Sequence, residues 1–202
     1  MRNIILVIYK AIWVFLFRVK NACFTLWFRF LLWLNKVSFG KHCQVSGGIP
    51  QIRISFNTVV SIGDNAKFNN YTDVAWYSVS SLWVRRGAVL KIGDNFGING
   101  GLICVANKIV IGSNVKIGGG TKIFDTDFHP VNFEDRKFSD EQTKTAPVVI
   151  GDDVFVGTSC LILKGVTIGA RSVIAAGSVV THNVPPDEIW GGNPARFIKS
   201  AL

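Results

Sequence analysis

The chain has 202 residues, 49% of them hydrophobic, and a net charge of +9; this suits one compact domain with an appendage and excludes a disordered protein. The charge is uneven: residues 1–41 hold seven basic residues and no acid, while the rest carries fifteen basic against thirteen acidic residues. A nucleic-acid binder would spread cations over a folded surface beside a reader motif, and the sequence has no such arrangement. Four cysteines, at 23, 43, 104 and 160, fit neither a zinc pattern nor a disulfide framework, which predicts reduced, cytosolic thiols and no metal.

Residues 3–35 form an apolar, aromatic run interrupted by Lys10, Arg18, Lys20 and Arg29. No uncharged stretch in it reaches the roughly 18 residues of a membrane-crossing helix, and Lys10 splits the region where a signal peptide would be apolar. At about 100° per residue, Asn3, Lys10, Arg18, Lys20, Asn21, Arg29, Asn35 and Lys36 fall on half of the circumference. Residues 1–41 are therefore expected to form an amphipathic helix, or two broken ones. Its apolar half suits an anionic membrane interface; the other reading packs it on the rest of the chain or on a sister subunit.

Residues 42–124 repeat loosely. Ile62-Gly63-Asp64-Asn65 and Ile92-Gly93-Asp94-Asn95 share a tetrapeptide that Ile111-Gly112-Ser113-Asn114 varies. The series Ile92, Ile98, Cys104, Val110 keeps a period of six, then slips by one to Ile111, Ile117, Ile123. Between Trp76 and Arg86 the pattern is weak and predicts wider, irregular strands. Residues 125–147 abandon the period for a charged stretch, and a long loop leaving an economical fold is often functional.

From Ile150 the period is strict. An aliphatic residue returns every sixth position through Val156, Ile162, Ile168, Ile174 and Val180, which fits neither a helix nor an alternating strand. It reads as short extended segments joined at tight corners and stacked into a solenoid over residues 42–186, with Gly151, Gly157, Gly169 and Gly177 relieving strain at corners. Cys160 shares a slot with Val154, Val166 and Ser172, so it reads as a small core residue rather than a nucleophile. Residues 187–202 form a short C-terminal tail.

The tandem Ile-Gly-Asp-Asn hexapeptides, the looped-out segment with His129, and the terminal Gly192-Asn193-Pro194-Ala195-Arg196 together resemble the hexapeptide-repeat acyltransferases. Within these the chain looks closest to maltose/galactoside acetyltransferases and to O-acetyltransferases of exopolysaccharide and capsule synthesis. The resemblance spans roughly residues 60–199. It implies an all-β solenoid, a left-handed parallel β-helix of triangular section, assembled as a homotrimer with acetyl-CoA in the crevice between subunits. It also implies a saccharide acceptor closed in by the looped-out segment.

Acetyl transfer to a hydroxyl needs a base for the alcohol proton and a donor for the oxyanion. Of His42, His129 and His182, only His129 opens the excursion, and it matches the family's catalytic histidine. Asp127 and Asp125 stand two and four residues before it; in an extended backbone they share its face, and either orients the imidazole, contacts acceptor hydroxyls, or is merely solvated. Asn99 matches an acceptor-side asparagine, or is a corner residue suited to left-handed backbone. On the donor side, Gly157 and Thr158 match the segment whose amides meet the thioester, Ala176 a position lining the pantetheine channel, and Thr181, His182, Arg196 and Lys199 positions contacting CoA phosphates and adenine. Trp190 stacks on adenine or caps the last coil. The expected function is thus acetyl-CoA-dependent sugar O-acetylation by direct transfer, at the cytoplasmic face of the membrane where lipid-linked saccharides are built. The alternatives are an antibiotic or amino-sugar acceptor and a non-enzymatic scaffold; a carbonic-anhydrase-like solenoid would need three zinc-ligand histidines in the central coils, where only His129 lies.

Overall fold

The computed structural model describes residues 2–71, 79–137 and 143–202. The chain winds through three parallel sheets, one strand per sheet per turn. The first face stacks Ser38–Phe39, Val59–Ile62, Val89–Ile92, Lys108–Ile111, Val148–Ile150 and Thr167–Ile168; the third stacks Gln51–Ile54 through Ser81–Val84, Leu102–Val105, Lys122–Phe124 and Leu161–Ile162 to Val179–Val180. The second runs from Gln44–Ser46 to Val173–Ile174 and ends in two further strands. The result is a three-sided prism. The first strand precedes the expected boundary at residue 42.

The six-residue period marks one position on each side: Ile150, Val156, Ile162, Ile168, Ile174 and Val180 are all buried, and they stack eighteen residues apart, Ile150 on Ile168, Val156 on Ile174, Ile162 on Val180. The residue two places earlier also points inward: Val148, Val154, Cys160, Val166, Ser172 and Ser178 are buried. Cys160 is thus a core residue, with burial raising its thiol pKa. Burying each aliphatic side chain contributes about 1.5–3 kcal/mol. The slip of register occurs earlier than the sequence suggests. It begins at the corner Asn99-Gly100, one residue short, since Ile103, not Cys104, stacks on Leu82 and Ile123, and two extra residues before Ile111 then make up the net slip of one; Cys104 faces outward beneath covering chain.

The edge joining the first and second faces explains the Ile-Gly-Asp-Asn repeat. Asn65, Asn95 and Asn114 adopt left-handed backbone with φ of 57°, 55° and 60°, which asparagine tolerates. Their amides form a ladder, Asn65 Nδ2 donating to Asn95 Oδ1 at 3.0 Å, Asn95 to Asn114 at 2.9 Å, and Asn114 to Asp153 at 2.9 Å. The preceding acid accepts the amide of the coil before: Asp64 Oδ1 from Lys41 N, Asp94 Oδ1 from Asp64 N and Asp152 Oδ1 from Ser113 N, each at 2.7 Å. Glycine is required for a different reason from the expected relief of strain. At Gly151 a Cβ would lie 2.7 Å from the amide of Ala170 in the next coil. Of the four corner glycines singled out in the sequence, Gly177 alone has positive φ, at 72°.

Residues Arg2–Leu34 form one continuous helix, α1, not two. Its two halves differ. Phe28 and Leu32 are fully buried and close the open end of the prism, Phe28 packing on Phe68 with ring centroids 5.0 Å apart. Thr25 bonds both Val45 N and Val45 O, and Asn21 Oδ1 accepts from Gly47 N. By contrast every residue from Ile4 to Leu16 is exposed, Trp13 at 56% and Phe15 at 65%. Among the described residues no helix is long and apolar enough to cross a membrane.

Ser81–Val84 is a regular strand in register with Gln51–Ile54 and Leu102–Val105, contrary to the irregular strands expected there; Trp76 to Ser78 lie outside the described residues. The tail is likewise ordered. Glu188–Gly192 and Ala195–Ser200 form an antiparallel hairpin that extends the second face beyond Val173–Ile174. Trp190 stacks on Ile174, packs on the core and donates to Glu188 Oε2 at 2.6 Å, so it caps the last coil.

Candidate active site

The long loop leaves the prism at the edge between the third and first faces. Asp125 continues the inward register of the third face and is fully buried. Along the strands each coil donates its amides to carbonyls of the next. Where the chain departs those carbonyls are missing, and the Asp125 carboxylate replaces them, Oδ1 accepting from Ala106 N at 2.7 Å and Oδ2 from Asn107 N at 2.8 Å and Lys108 N at 2.7 Å. Charge-assisted bonds of this kind are about twice as strong as neutral ones. Asp125 is therefore a structural cap rather than an acceptor ligand or orienting acid.

The loop's stem is a short antiparallel pairing. Thr126 bridges Thr145, Ala146 N donates to Asp125 O at 3.0 Å and Asp127 N to Lys144 O at 3.1 Å. Beyond it a one-turn helix, α2 (Phe133–Arg136), starts at Asn132, whose side chain accepts from Glu134 N. Asp127 pairs with Lys164 of the next coil at 2.9 Å. Between Asp127 and His129 the chain is not extended: Phe128 has φ of 63°, so the alternation that would place both side chains on one face does not hold. The turn lays Phe128 back on the third face, edge-on to Phe124 at 5.0 Å and 6.4 Å from Trp83, and leaves His129 exposed above buried Pro130.

The edge between the second and third faces is different in kind. In axial order it presents Gly118-Gly119, Gly157-Thr158, Ala175-Ala176 and Gly191-Gly192, and Arg196 pairs with Gly191 at its end. At the usual 4.7–4.9 Å between strands this is a smooth strip about 14 Å long with a cation at its end, a surface along which a channel forms only when a second subunit covers it. Ala176 is exposed on it. Gly157 is buried, and a Cβ there would lie 2.6 Å from Ala176 N, so its glycine serves coil packing and not approach by a ligand. Gly157 N donates to Ile174 O and Ser159 N to Gly119 O, both at 2.8 Å. Two of the three amides in that segment are thus already used inside the solenoid. Asn99 lies further down the same edge, its Oδ1 accepting from Asn69 Nδ2 at 2.8 Å.

One chain does not gather the expected site. Asn99, Gly157, Thr158, Ala176 and Arg196 share one edge; His129, Asp127, Thr181 and His182 share another, where Thr181 Oγ1 and His182 Nδ1 are 2.7 Å apart. The third face separates them. Lys199 pairs with Ile189, three residues along its strand from Arg196 and away from the strip. Sequence reasoning missed Lys164, Arg53 and Trp83. Lys164 had no signal beyond its charge, whereas Trp83, an aromatic residue at an outward position of the repeat, was discernible once register was known.

The comparisons with known proteins follow this geometry. Residues 147–182 match the family described as the hexapeptide repeat of succinyl-transferase. A hexapeptide-repeat-containing acetyltransferase of Vibrio cholerae is 30% identical, aligning over 81% of this chain and 73% of its own with a TM-score of 0.55. The chain belongs to the hexapeptide-repeat acetyltransferase family. Its solenoid is accordingly a left-handed parallel β-helix. The Vibrio cholerae protein has also been solved in complex with acetyl coenzyme A, where it is 30% identical over 82% of this chain and 71% of its own, with a TM-score of 0.53. Galactoside O-acetyltransferase of Escherichia coli is 40% identical over 114 residues, 56% of this chain and 55% of that enzyme. The chain thus spans little more than half the length of the curated relatives it matches.

Proposed function

We propose that the protein is an acetyl-CoA-dependent O-acetyltransferase acting on a sugar hydroxyl, with His129 as general base. The observation that carries this is the division of labour between edges: a smooth strip of glycine and alanine ending in Arg196, and a histidine held on an outlying turn at a different edge. The pantetheine arm lies along Ala176 and Thr158, with Arg196 on the CoA phosphates. The Thr158 N–H is the donor left for the thioester oxyanion. His129 takes the acceptor proton as the hydroxyl oxygen attacks the thioester carbonyl. The tetrahedral intermediate then expels the CoA thiolate, which recovers that proton from the imidazolium, leaving the acetylated sugar and free CoA. No acyl-enzyme is involved, since Cys160 is buried with a raised pKa and Cys104 is pushed up to about 11 by burial, the Asp125 charge adding to it.

Because base and strip stand on separate edges of one chain, the complete site is built between subunits of a homotrimer, the loop of one closing on the strip of its neighbour. Thr181 and His182 then reach the cofactor from the loop side. Replacing His129 with Ala should lower acetyl transfer by about 10²–10⁴ with unchanged sedimentation and acetyl-CoA affinity; near-normal turnover sinks the assignment.

The exposed half of α1 supports peripheral attachment to the cytoplasmic leaflet, which makes a lipid-linked or polysaccharide precursor the favoured acceptor. Ile4 to Val19 carry apolar side chains with Lys10 and Arg18 among them, suited to an anionic interface. Deleting residues 2–17 while keeping the cap from Asn21 onward should leave transfer to a soluble acceptor intact and abolish co-sedimentation with vesicles containing anionic lipid. Unchanged co-sedimentation refutes the membrane role.

A further inference from the structure

On the third face, between the two edges, the outward side chains of three successive strands line an open cavity of about 460 Å³ whose lining includes Gln51, Arg53, Ser81, Trp83 and Leu102. Register sets its chemistry. Gln51 stacks on Ser81 and Ser81 on Leu102, while Arg53 stacks on Trp83. The Arg53 guanidinium carbon lies 5.8 Å from the centre of the Trp83 ring, and among the described residues no acid lines the cavity. Trp83 is also the residue that touches Phe128, at 6.4 Å between ring centres, one position before His129. The cavity, the aromatic contact and the base therefore form a continuous series across one face.

We infer that this cavity binds the acceptor, and that the acceptor is an acidic saccharide. The inference rests on the acetyltransferase reading given above. A half-buried indole offers a flat apolar platform for one face of a pyranose ring, whose C–H groups pack on it while its hydroxyls stay polar. Gln51 and Ser81 supply amide and hydroxyl groups for those hydroxyls. Arg53, whose guanidinium lies over the same indole ring at 5.8 Å from its centre, presents its forked donors to an anion on the same sugar, a carboxylate or a phosphate, where a neutral hexose would leave that charge without a partner. The volume lies within the range of small-ligand sites and holds a sugar unit with its charged substituent. Phe128 then acts as the link between occupancy and chemistry: a ring seated on Trp83 abuts Phe128, and the left-handed turn there fixes where His129 meets the acceptor hydroxyl.

The test uses the full-length protein and three probes, glucuronic acid, glucose 1-phosphate and glucose, titrated by calorimetry or saturation-transfer NMR. At least one acidic probe should bind tenfold or more tightly than glucose. A preference for glucuronic acid would identify a carboxylate sugar, and a preference for glucose 1-phosphate a phosphorylated one. Arg53→Gln should erase the preference for acid, and Trp83→Ala should remove binding of all three, with Trp83→Phe restoring most of it; acetyl-CoA affinity should not move in any variant. Equal binding of acidic and neutral probes by the wild type, or wild-type behaviour of both Arg53→Gln and Trp83→Ala, overturns the site. So does dissociation of the oligomer by Trp83→Ala, which would make this face a contact between copies. Absence of acetyl-CoA binding in the unmodified protein would instead strike at the acetyltransferase reading, which keeps the two failures apart.

Discussion

Two edges of the prism are made by the same kind of tight corner and carry opposite chemistry. The edge between the first and second faces is lined by Asp64, Asp94, Ser113 and Asp152, each accepting a backbone amide from its neighbouring coil, and by the Asn65, Asn95 and Asn114 ladder beside them. The edge between the second and third faces carries Gly118, Gly157, Ala176 and Gly192 at corresponding heights. A corner leaves amides pointing outward, and these must find partners. On the first edge short polar side chains satisfy them permanently. On the second, most corner amides bond carbonyls of neighbouring coils, as Gly157 N does Ile174 O and Ser159 N does Gly119 O, and the side chains are kept small, which leaves an unobstructed surface for something laid across it. A solenoid thus separates stability from ligand binding by edge, although its backbone hardly changes between them.

The largest effect should come from filling the smooth edge. Ala176 is exposed there and contributes only a methyl group, so Ala176→Trp should weaken acetyl-CoA binding by a hundredfold or more in calorimetry while thermal stability stays within about 1 °C, since the new side chain displaces no buried atoms. Undiminished affinity would show that the channel lies elsewhere. A smaller effect is expected on the ladder edge. Asp94→Ala removes the acceptor for Asp64 N and should cost about 1 kcal/mol, seen as a fall of a few degrees in melting temperature, with acetyl-CoA affinity unaltered. If affinity fell with stability, the separation between edges would be wrong.

The strict part of the prism was legible because its period is imposed by packing: every sixth residue must be buried, so composition and spacing carry the signal from Ile150 to Val180. The looser coils also read correctly in outline, but register failed where one corner is shortened at Asn99-Gly100, because Cys104 is as apolar as Ile103 and only pairing with Leu82 and Ile123 distinguishes them. His129 was singled out as the candidate base by its place in an interrupted repeat. Its acidic neighbours were not assignable. Asp125 looks like any loop acid until three donors are seen to converge on it, and Asp127 was judged by an extended geometry that the positive φ of Phe128 breaks. The helix shows the same limit. Its amphipathic pattern is uniform along the sequence, yet Phe28 is in the core and Phe15 in solvent, because the length of helix that can cap a narrow prism is set by the width of the prism.

The ladder edge changes character at its last step, and that change gives the smallest prediction. Arg171 takes the left-handed position, with φ of 60°, and the asparagine ladder gives way to an ion pair with Asp187 at 2.5 and 2.6 Å. Arg171 lowers the Asp187 pKa, its hydrogen bond first and its charge in addition. A carboxylate whose folded pKa is depressed stabilises the fold above the unfolded pKa, and that contribution is lost as pH falls through the folded value. Both groups are at the surface, so the contribution is small and screened by salt. Wild type should therefore melt slightly above Asp187→Asn at neutral pH and low salt, and the gap should close both on acidification below the ordinary carboxylate range and on raising ionic strength. A gap that survives both treatments would mean that Asp187 acts through its shape and its backbone bonds to Ala170 and Ala201, as the uncharged asparagines do lower on the same edge.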